Sequence, residues 1–123
     1  MIVIGGNDGR VQNRVECLNI KTGSWAKMPK MHLKRDELAA TLGPDGKIYA
    51  IGGYGGGDNS CQASAERFDF STGMWELIAP MKEPRRALSA VALPDGIYAI
   101  GGYNGKDYIG TVERYDFFTN EWT

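Results

Sequence analysis

The stretch ERFDFSTGMW, residues 66–75, occurs three times in related form and decides how the rest of the chain is interpreted. The other copies are ECLNIKTGSW at 16–25 and ERYDFFTNEW at 113–122, so Glu and Trp lie nine residues apart each time. Each copy also keeps Asn or Asp in its fourth position and Thr in its seventh. A fixed internal period indicates a repeat architecture in which each copy is one structural unit.

Composition and charge exclude several classes of partner. The 123 residues are 42% hydrophobic and 24% charged, which is typical of a folded globular protein. A net charge of -1 gives no electrostatic footprint for nucleic acid or for an anionic membrane. No stretch approaches the ~20 apolar residues that span a bilayer. We therefore predict no nucleic-acid partner and no membrane partner.

Cysteine usage and the first residues bear on location. Cys17 and Cys61 lack the spacing of a metal or redox motif, so we predict two free thiols in a reducing compartment. The start MIVIGG has no basic region and a short apolar run, unlike a signal peptide. The predicted location is the cytoplasm, with the nucleus or the cytoskeleton as alternatives.

A short apolar strand closed by two glycines also recurs. MIVIGG at 1–6 returns as IYAIGG at 48–53 and at 97–102, which indicates a buried strand followed by a turn. From the first glycine of each pair to the repeated Glu there are 11, 14 and 12 residues. Variation confined to one place marks a surface loop. Within the Glu-to-Trp unit we predict a strand and then a turn, where Gly23 or Gly73 supplies a positive φ.

In the segments between the Glu-to-Trp units, helix propensity and the repeat pattern predict different secondary structures. LKRDELAATL at 33–42 would be assigned to a helix in isolation, because it is rich in good helix formers. Its counterpart EPRRALSAVAL at 83–93 contains a proline and a run of small residues. Since equivalent positions share a structure, we predict a strand in both, each ending in a Pro-Asp-Gly turn. One repeat is then four short antiparallel strands.

Five landmarks recur in one order. They are Gly-Gly after an apolar strand, Glu-x-aromatic-Asp, Trp, a Met six residues later and an Arg four residues after that Met. The last two are Met31 and Arg35 in one copy, and Met81 and Arg85 in the next. In this combination the chain resembles the kelch repeat over essentially its whole length.

The resemblance implies an all-β fold, in which each repeat forms one four-stranded antiparallel blade of a kelch-type β-propeller. About two and a half to three blades are expected: a partial blade at 1–31, a complete blade at 32–81 and a nearly complete blade at 82–123. Three tryptophans are expected to pack between neighbouring blades: Trp25, Trp75 and Trp122. Three glutamates are expected to accept hydrogen bonds from the blade backbone or from a nearby Arg: Glu16, Glu66 and Glu113.

Closed propellers use four or more blades, so the number of repeats leaves two explanations open. The chain is part of a longer protein, or two copies associate to close a ring. The remaining blades or a second copy are therefore expected partners.

The residues give little support for catalysis. His32 has no second imidazole at ligand spacing, whereas the copper oxidase that shares the kelch propeller needs several ligands including a pair of histidines. The glycine run GGYGGG at 52–57 matches no phosphate-binding motif. Asp36 and Glu37 are adjacent rather than facing each other across a pocket. We predict no enzyme, no metal and no cofactor.

Functional residues are expected where the repeats differ, because a residue needed once in every blade is usually architectural. The leading prediction is a protein-interaction module that binds a protein or peptide through two sets of loops. The candidate binding residues are Arg10, Asn13, Arg35, Asp36, Tyr54, Asp58, Asn59, Arg85, Arg86, Tyr103, Asn104, Lys106 and Tyr108. The same loops contain Asp8, Glu37 and Asp107.

The resemblance carries this further. It implies an acidic or mixed peptide as the ligand, and substrate recognition by an adaptor of a cullin-RING ubiquitin ligase as the role. The alternatives are an actin- or cytoskeleton-binding kelch protein and a propeller enzyme whose catalytic residues lie outside these residues. Charge reversal at Arg85 and Arg86 is predicted to abolish partner capture with little change in the thermal midpoint.

Overall fold

The computed structural model of the chain describes residues 1–57 and 61–123, and the regular elements of these residues are strands. The eleven strands are β1 (Ile2–Ile4), β2 (Val15–Leu18), β3 (Trp25–Met28), β4 (Ala39–Leu42), β5 (Ile48–Ile51), β6 (Ala65–Asp69), β7 (Met74–Ile78), β8 (Ser89–Leu93), β9 (Gly96–Ile100), β10 (Val112–Asp116) and β11 (Glu121–Trp122). The described residues contain no helix that could cross a membrane.

The strands form three antiparallel sheets, each built from neighbours in sequence. Blade 1 is β1-β2-β3, blade 2 is β4-β5-β6-β7, and blade 3 is β8-β9-β10-β11. The repeated Glu has the same register in each blade, since Glu16 lies opposite Val3, Glu66 opposite Ala50, and Glu113 opposite Ala99. The prediction of an all-β fold of antiparallel propeller blades is confirmed.

The segments at 33–42 and 83–93 end in strands, as the repeat predicted and local propensity did not. Strand β4 pairs with β5 along its whole length, and β8 pairs with β9 in the same way. Tertiary pairing with the IYAI strand thus overrides the helix propensity of the first segment.

The turn before each Trp requires a left-handed backbone. Gly23 has φ 73° and Gly73 has φ 68°, and the third copy places Asn120 there with φ 53°. Asn is among the few non-glycine residues that adopt this conformation readily. The predicted positive φ at the two glycines is confirmed.

Two apolar cores lie between the blades. The core between blades 1 and 2 contains Val15, Met31, Ile48, Ala50, Phe68 and Trp75. The core between blades 2 and 3 contains Ala39, Tyr49, Ile51, Ala65, Ile78, Met81, Leu88, Ile97, Ala99, Tyr115 and Trp122. In blade 2, alternate residues of β5 enter opposite cores, as expected for a sheet buried on both faces.

Two of the three tryptophans pack between blades as predicted. Trp75 and Trp122 are each 4% exposed, and their ring N–H groups donate to Pro29 O at 2.8 Å and Ala79 O at 2.7 Å. The prediction is wrong for Trp25, which is 55% exposed. Trp25 lies on the face of blade 1 that has no other sheet against it within the described residues.

Candidate functional site

A connecting arm leads from the last strand of one blade into the next blade. The first arm is residues 29–38 and the second arm is residues 79–88. The first arm bonds blade 1 through its backbone: Met31 N donates to Asn13 O at 3.0 Å, and Gly6 N donates to Arg35 O at 2.8 Å. The second arm repeats this pattern on blade 2, where Met81 N donates to Ala63 O at 2.8 Å.

The side chains of the first arm bond blade 2. Arg35 is fully buried and donates to Glu66 Oε2 from Nε at 3.3 Å and from Nη2 at 3.1 Å. Its Nη1 donates to Gly52 O at 2.8 Å and Ser64 O at 2.9 Å. The Glu66 carboxylate also accepts the backbone N–H groups of His32 at 2.8 Å and Leu33 at 3.2 Å.

The second arm makes the equivalent joint with blade 3. Arg85 is fully buried, and its Nη2 donates to Glu113 Oε2 at 3.2 Å. The Glu113 carboxylate also accepts the N–H groups of Lys82 at 2.6 Å and Glu83 at 3.2 Å. The prediction that the recurring glutamates accept hydrogen bonds from backbone and Arg is confirmed for Glu66 and Glu113.

This geometry corrects the assignment of Arg35 and Arg85 to the binding surface. Both guanidinium groups are enclosed and already bonded, so neither is available to a partner. Burial lowers the pKa of Arg35, and the neighbouring Glu66 carboxylate opposes that shift. Removal of one member would leave the other charge buried and uncompensated, at a cost of roughly 3–5 kcal/mol, so each arginine is required by the joint in which it lies. Because Arg85 is enclosed, we now expect charge reversal at this residue to lower the thermal midpoint.

The backbone changes direction just beyond each of these arginines. Glu37 has φ 50° and Ala87 has φ 52°, and both values lie in the left-handed backbone region that residues other than glycine rarely adopt. Ala87 N donates to Glu37 O at 2.8 Å, which links the two positions across neighbouring repeats. Neither Glu nor Ala favours such a backbone, so these positions carry no sequence signal for it.

The residues after the buried arginines pair with the loops that follow each Gly-Gly. Asp36 and Tyr54 exchange backbone hydrogen bonds at 2.8 and 2.7 Å, and Arg86 and Tyr103 exchange two at 2.9 Å. The two sets of loops that the sequence analysis selected are thereby brought to one side of the blades. We call this side the loop surface, comprising 36–37, 54–57, 61, 86–87 and 103–108.

Arg86 occupies the middle of the loop surface. Its guanidinium carbon lies 5.2 Å from the ring centroid of Tyr54 and 5.0 Å from that of Tyr103. Its Nε is 3.6 Å from Glu37 Oε2, and the side chain remains about one-third exposed. Tyr54 belongs to a loop of blade 2 and Tyr103 to a loop of blade 3. All three residues are predicted binding residues, and the structure adds that Arg86 connects two blades.

A hollow of about 540 Å³ opens beside Arg86. Its lining residues are Glu37, Arg86, Ala87, Tyr103, Lys106, Asp107 and Tyr108. Tyr108 is 89% exposed, and its ring centroid is 5.1 Å from that of Tyr103. The lining thus combines two cations, two carboxylates and two aromatic rings, a set suited to a mixed-charge peptide.

Cys61 lies at the edge of the same surface. Its thiol donates to Tyr103 O at 3.5 Å, so it also contacts the loop of the next blade. Burial raises the pKa of the Cys61 thiol, with Arg86 opposing the shift and Glu37 adding to it. Both Cys17 and Cys61 are free, as predicted.

The other candidate residues include two of the loop surface, Asp36 and Asn104, and two of blade 1, Arg10 and Asn13. Arg10 is exposed in the loop of blade 1, and the Asn13 amide donates to Met31 O at 3.2 Å, so Asn13 supports the first arm. Asp36 accepts from the Asn7 side chain at 3.3 Å. Asn104 accepts the backbone N–H groups of Lys106 and Asp107 and shapes their turn. The predicted Asp58 and Asn59 lie outside the described residues.

The donor groups do not fit a copper site. Within 1–57 and 61–123, no cluster of three or more His, Cys, Asp or Glu side chains could hold a metal ion. A ring nitrogen of His32, the one histidine of the chain, lies 2.8 Å from Trp75 O.

The antiparallel blades, their Gly-Gly turns and their Arg–Glu joints define a repeat protein of the β-propeller class. The family model described as the Kelch motif matches residues 1–32, 38–82 and 84–123. The chain belongs to the kelch-repeat family.

One curated protein and one solved structure are similar to the chain. The human Kelch-like protein 4 is 53% identical over 30 residues, which are 24% of this chain and 4% of that protein. A fungal alcohol oxidase solved in complex with copper matches with a TM-score of 0.72 and 24% identity, over 99% of this chain and 27% of its own. The chain therefore spans a small part of either relative. Membership of the family supports a protein-interaction module.

The match to the oxidase also requires a correction. The prediction that the chain is not an enzyme relied on excluding catalysis from a few blades with one histidine. The part that matches this chain is 27% of a chain that is an alcohol oxidase, so blades of this fold do not exclude an enzyme and the prediction was wrong. At 24% identity the likeness shows the fold alone.

Proposed function

We propose that the loop surface binds a protein partner through an acidic or mixed-charge segment, with Arg86 as the main anchor. The observation that carries this proposal is the position of Arg86 between Tyr54 and Tyr103, which come from adjacent blades. Both rings orient the guanidinium group, so less rotamer freedom is lost when it binds a carboxylate. Arg and Tyr in such a setting are typical of interface hot spots.

The surroundings of Arg86 favour an acidic group beside a polar or aromatic one. Lys106 adds a second cation to the hollow, while Glu37 and Asp107 disfavour a uniformly acidic ligand. Tyr108 offers a nearly fully exposed ring against which an apolar or aromatic side chain can pack. The ligand is therefore an extended segment with one or two carboxylates next to an apolar residue.

A displayed library of random peptides, selected on the full chain, tests this proposal. Selected peptides should contain acidic residues, and Arg86→Ala should weaken their binding by about tenfold or more, as expected at a hot spot. Tyr108→Ala should weaken the same peptides. The matched control is Lys21→Ala, which removes an exposed cation from the turn between β2 and β3 and should leave affinity unchanged. Equal affinity for Arg86→Ala and Lys21→Ala contradicts the proposal.

We further propose that this binding serves substrate recognition by an adaptor of a cullin-RING ubiquitin ligase. The local similarity to Kelch-like protein 4 and the kelch resemblance support this role. The test is co-precipitation of a cullin with the full-length gene product that contains the chain. Recovery of the cullin together with a protein lost in the Arg86→Ala variant supports the role. Absence of the cullin, with the Arg86-dependent partner retained, rejects the ligase role and keeps the interaction.

A further inference from the structure

Glu37 is an ion-pair partner of Arg86, the proposed anchor of the loop surface. Its Oε2 atom lies 3.6 Å from Arg86 Nε, so it occupies the edge of the guanidinium group that carries Nε. The other two nitrogens of Arg86, Nη1 and Nη2, donate no hydrogen bond to any residue within 1–57 and 61–123. Because the Arg86 side chain is about one-third exposed, these two donors are open to a ligand.

Arg85, one residue earlier, shows a guanidinium group whose terminal nitrogens are satisfied. Its Nη1 donates to Gly101 O at 2.9 Å and to Thr111 O at 2.8 Å. Its Nη2 donates to Glu113 Oε2 at 3.2 Å. The same two nitrogens of Arg86 have no such partner in the part of the chain that the structure describes, so a ligand can take both of them.

The tyrosine rings and Glu37 together fix how Arg86 presents these donors. The rings of Tyr54 and Tyr103 lie 5.2 and 5.0 Å from its guanidinium carbon, and Glu37 lies at the Nε edge. A guanidinium group binds an oxyanion most strongly through two parallel N–H···O bonds. With Glu37 at the Nε edge, the free edge is the one formed by Nη1 and Nη2. A carboxylate and a phosphate group both fit two parallel donors, so geometry alone does not choose between them.

The charges around this edge favour a carboxylate. The hollow beside Arg86 is lined by two cations, Arg86 and Lys106, and by two carboxylates, Glu37 and Asp107. A carboxylate ligand brings one negative charge, whereas a phosphate group brings about 1.5 to 2 and is repelled by neighbouring Asp or Glu. Glu37 contributes most of this repulsion, because it lies within ion-pair distance of Arg86 and Asp107 does not.

The backbone of Glu37 is anchored beside Arg86. Glu37 O accepts the N–H group of Ala87 at 2.8 Å, which ties it to the residue after Arg86. Glu37 N donates to Asp36 Oδ1 at 2.9 Å. Both main-chain polar groups of Glu37 are therefore bonded, and a ligand that binds Arg86 meets a carboxylate whose backbone cannot move away.

We propose that Glu37 is a specificity-determining residue of the loop surface, which makes this surface a receptor for carboxylates rather than for phosphate groups. Glu37 occupies the Nε edge of Arg86, which leaves Nη1 and Nη2 for the ligand, and its charge repels a dianion. The inference rests on the proposed function, since it takes Arg86 as the anchor of the partner. The partner is then recognised through an Asp or Glu side chain and not through a phosphorylated residue.

Two short peptides test the choice between the two groups: acetyl-Phe-Glu-Phe-amide and the same peptide with phosphoserine in place of Glu. Each peptide is titrated into the full chain at about pH 7.5, where the phosphate group is mainly a dianion. Binding is followed by NMR at the side-chain resonances of Arg86. The native chain should bind the Glu peptide more tightly. Glu37→Gln should shift the ratio of the two dissociation constants toward phosphoserine by about threefold or more, since one nearby negative charge is removed.

Asp107→Asn is the matched control, because it removes the same charge from the same hollow at a residue that makes no ion pair with Arg86. It should shift the ratio less than Glu37→Gln does. Equal shifts in the two variants, an unchanged ratio in Glu37→Gln, or tighter binding of phosphoserine by the native chain would each overturn the proposal and leave Arg86 as the anchor. No response of Arg86 to either peptide would overturn the proposed function as well.

The paired donors of Arg86 have a test of their own. Arg86→Lys keeps the positive charge but removes the edge formed by two nitrogens, so it should weaken binding of the Glu peptide about tenfold. Binding to this variant is followed at the ring resonances of Tyr108, which lines the same hollow. Equal affinity of the native chain and Arg86→Lys would show that charge alone is recognised, and it would overturn the two-nitrogen geometry that the proposal requires.

Discussion

Arg85 and Arg86 are neighbours in the chain and belong to two different regions of the molecule. Arg85 is fully buried in the joint between the second arm and blade 3, where it bonds Glu113 and two backbone carbonyl groups. Arg86 lies on the loop surface between two tyrosine rings. The difference follows the repeat: Arg85 has a counterpart in Arg35, whereas the counterpart of Arg86 is Asp36. The repeated arginine builds the blade, and the unrepeated one is free to define a partner.

The largest effect is expected when the joint loses one member. Arg85→Leu should lower the free energy of unfolding by roughly 3–5 kcal/mol, because the Glu113 carboxylate stays buried without its cation. Arg86→Leu is the matched change one residue later. It should lower the free energy of unfolding by only about 1 kcal/mol, because only the contacts with the tyrosine rings and an exposed ion pair are lost. Urea denaturation of the two variants measures the difference.

A second variant shows whether the loss comes from the uncompensated carboxylate. Arg85→Leu combined with Glu113→Leu should recover part of the stability, since no buried charge is left alone. Similar free energies of unfolding for Arg85→Leu and Arg86→Leu would contradict the division into a joint and a surface.

An intermediate effect on stability is expected at Ala87, which lies between the buried Arg85 and the loop surface. Ala87→Gly should raise the free energy of unfolding by up to about 1 kcal/mol, because glycine adopts the left-handed backbone of Ala87 without steric cost. Glu37→Gly tests the equivalent position of the preceding repeat, but it also removes the carboxylate near Arg86. Thermal denaturation measures both, and a lower midpoint for Ala87→Gly would show that the φ of 52° carries no strain.

The smallest effect is expected at a turn carboxylate far from both arginines. Hydrogen bonds from Ser71 to its carboxylate hold the pKa of Asp69 below the usual 3.8. A lowered folded-state pKa means that the stabilisation is present above the unfolded-state value and is lost as pH falls through the folded-state value. The counterpart of Asp69 in blade 1 is Asn19, whose side chain accepts the backbone N–H of Lys21. Asp69→Asn therefore keeps a hydrogen-bond acceptor in the turn and should remove this pH dependence. Thermal midpoints measured from neutral to acidic pH should therefore converge for the two proteins, and a constant difference would contradict the assignment.

Repetition made the fold predictable. Residues that recur at fixed distances predict the strands, the glycine turns and the Glu-to-Trp spacing. In the helix-like stretch 33–42 the counterpart repeat correctly predicts a strand for Ala39–Leu42, whereas 33–38 belong to the first arm. The same rule would have placed Arg35 and Arg85, since each follows a Met by four residues and precedes a buried Glu. Their predicted place on the surface follows from sharing a loop with residues that differ between the repeats, Asp36 and Arg86.

The site was less predictable because it depends on contacts between repeats. Arg86 meets Tyr54 at a sequence distance that no local pattern encodes, and the left-handed backbone of Ala87 has no sequence signature. The exposure of Trp25 has a similar cause. Trp25 occupies the same repeat position as the buried Trp75 and Trp122. Its burial, however, requires another element packed against its face of blade 1, and the repeat pattern does not reveal whether one is present.

The two connecting arms divide their contacts in a way that bears on how such chains diversify. Arg35 reaches forward with its side chain to Glu66, and both residues are encoded in one repeat. Backward, toward blade 1, the first arm is joined mainly through main-chain groups: Met31 N donates to Asn13 O, Arg35 N donates to Gln12 O, and Gly6 N donates to Arg35 O. Backbone groups are the same in every repeat, so a duplicated or exchanged repeat brings its own Arg–Glu pair and needs few matching changes in the polar groups of its neighbour, such as the Asn13 side chain that bonds Met31 O. New loops can thus be recruited into an array by recombination without first redesigning the joint.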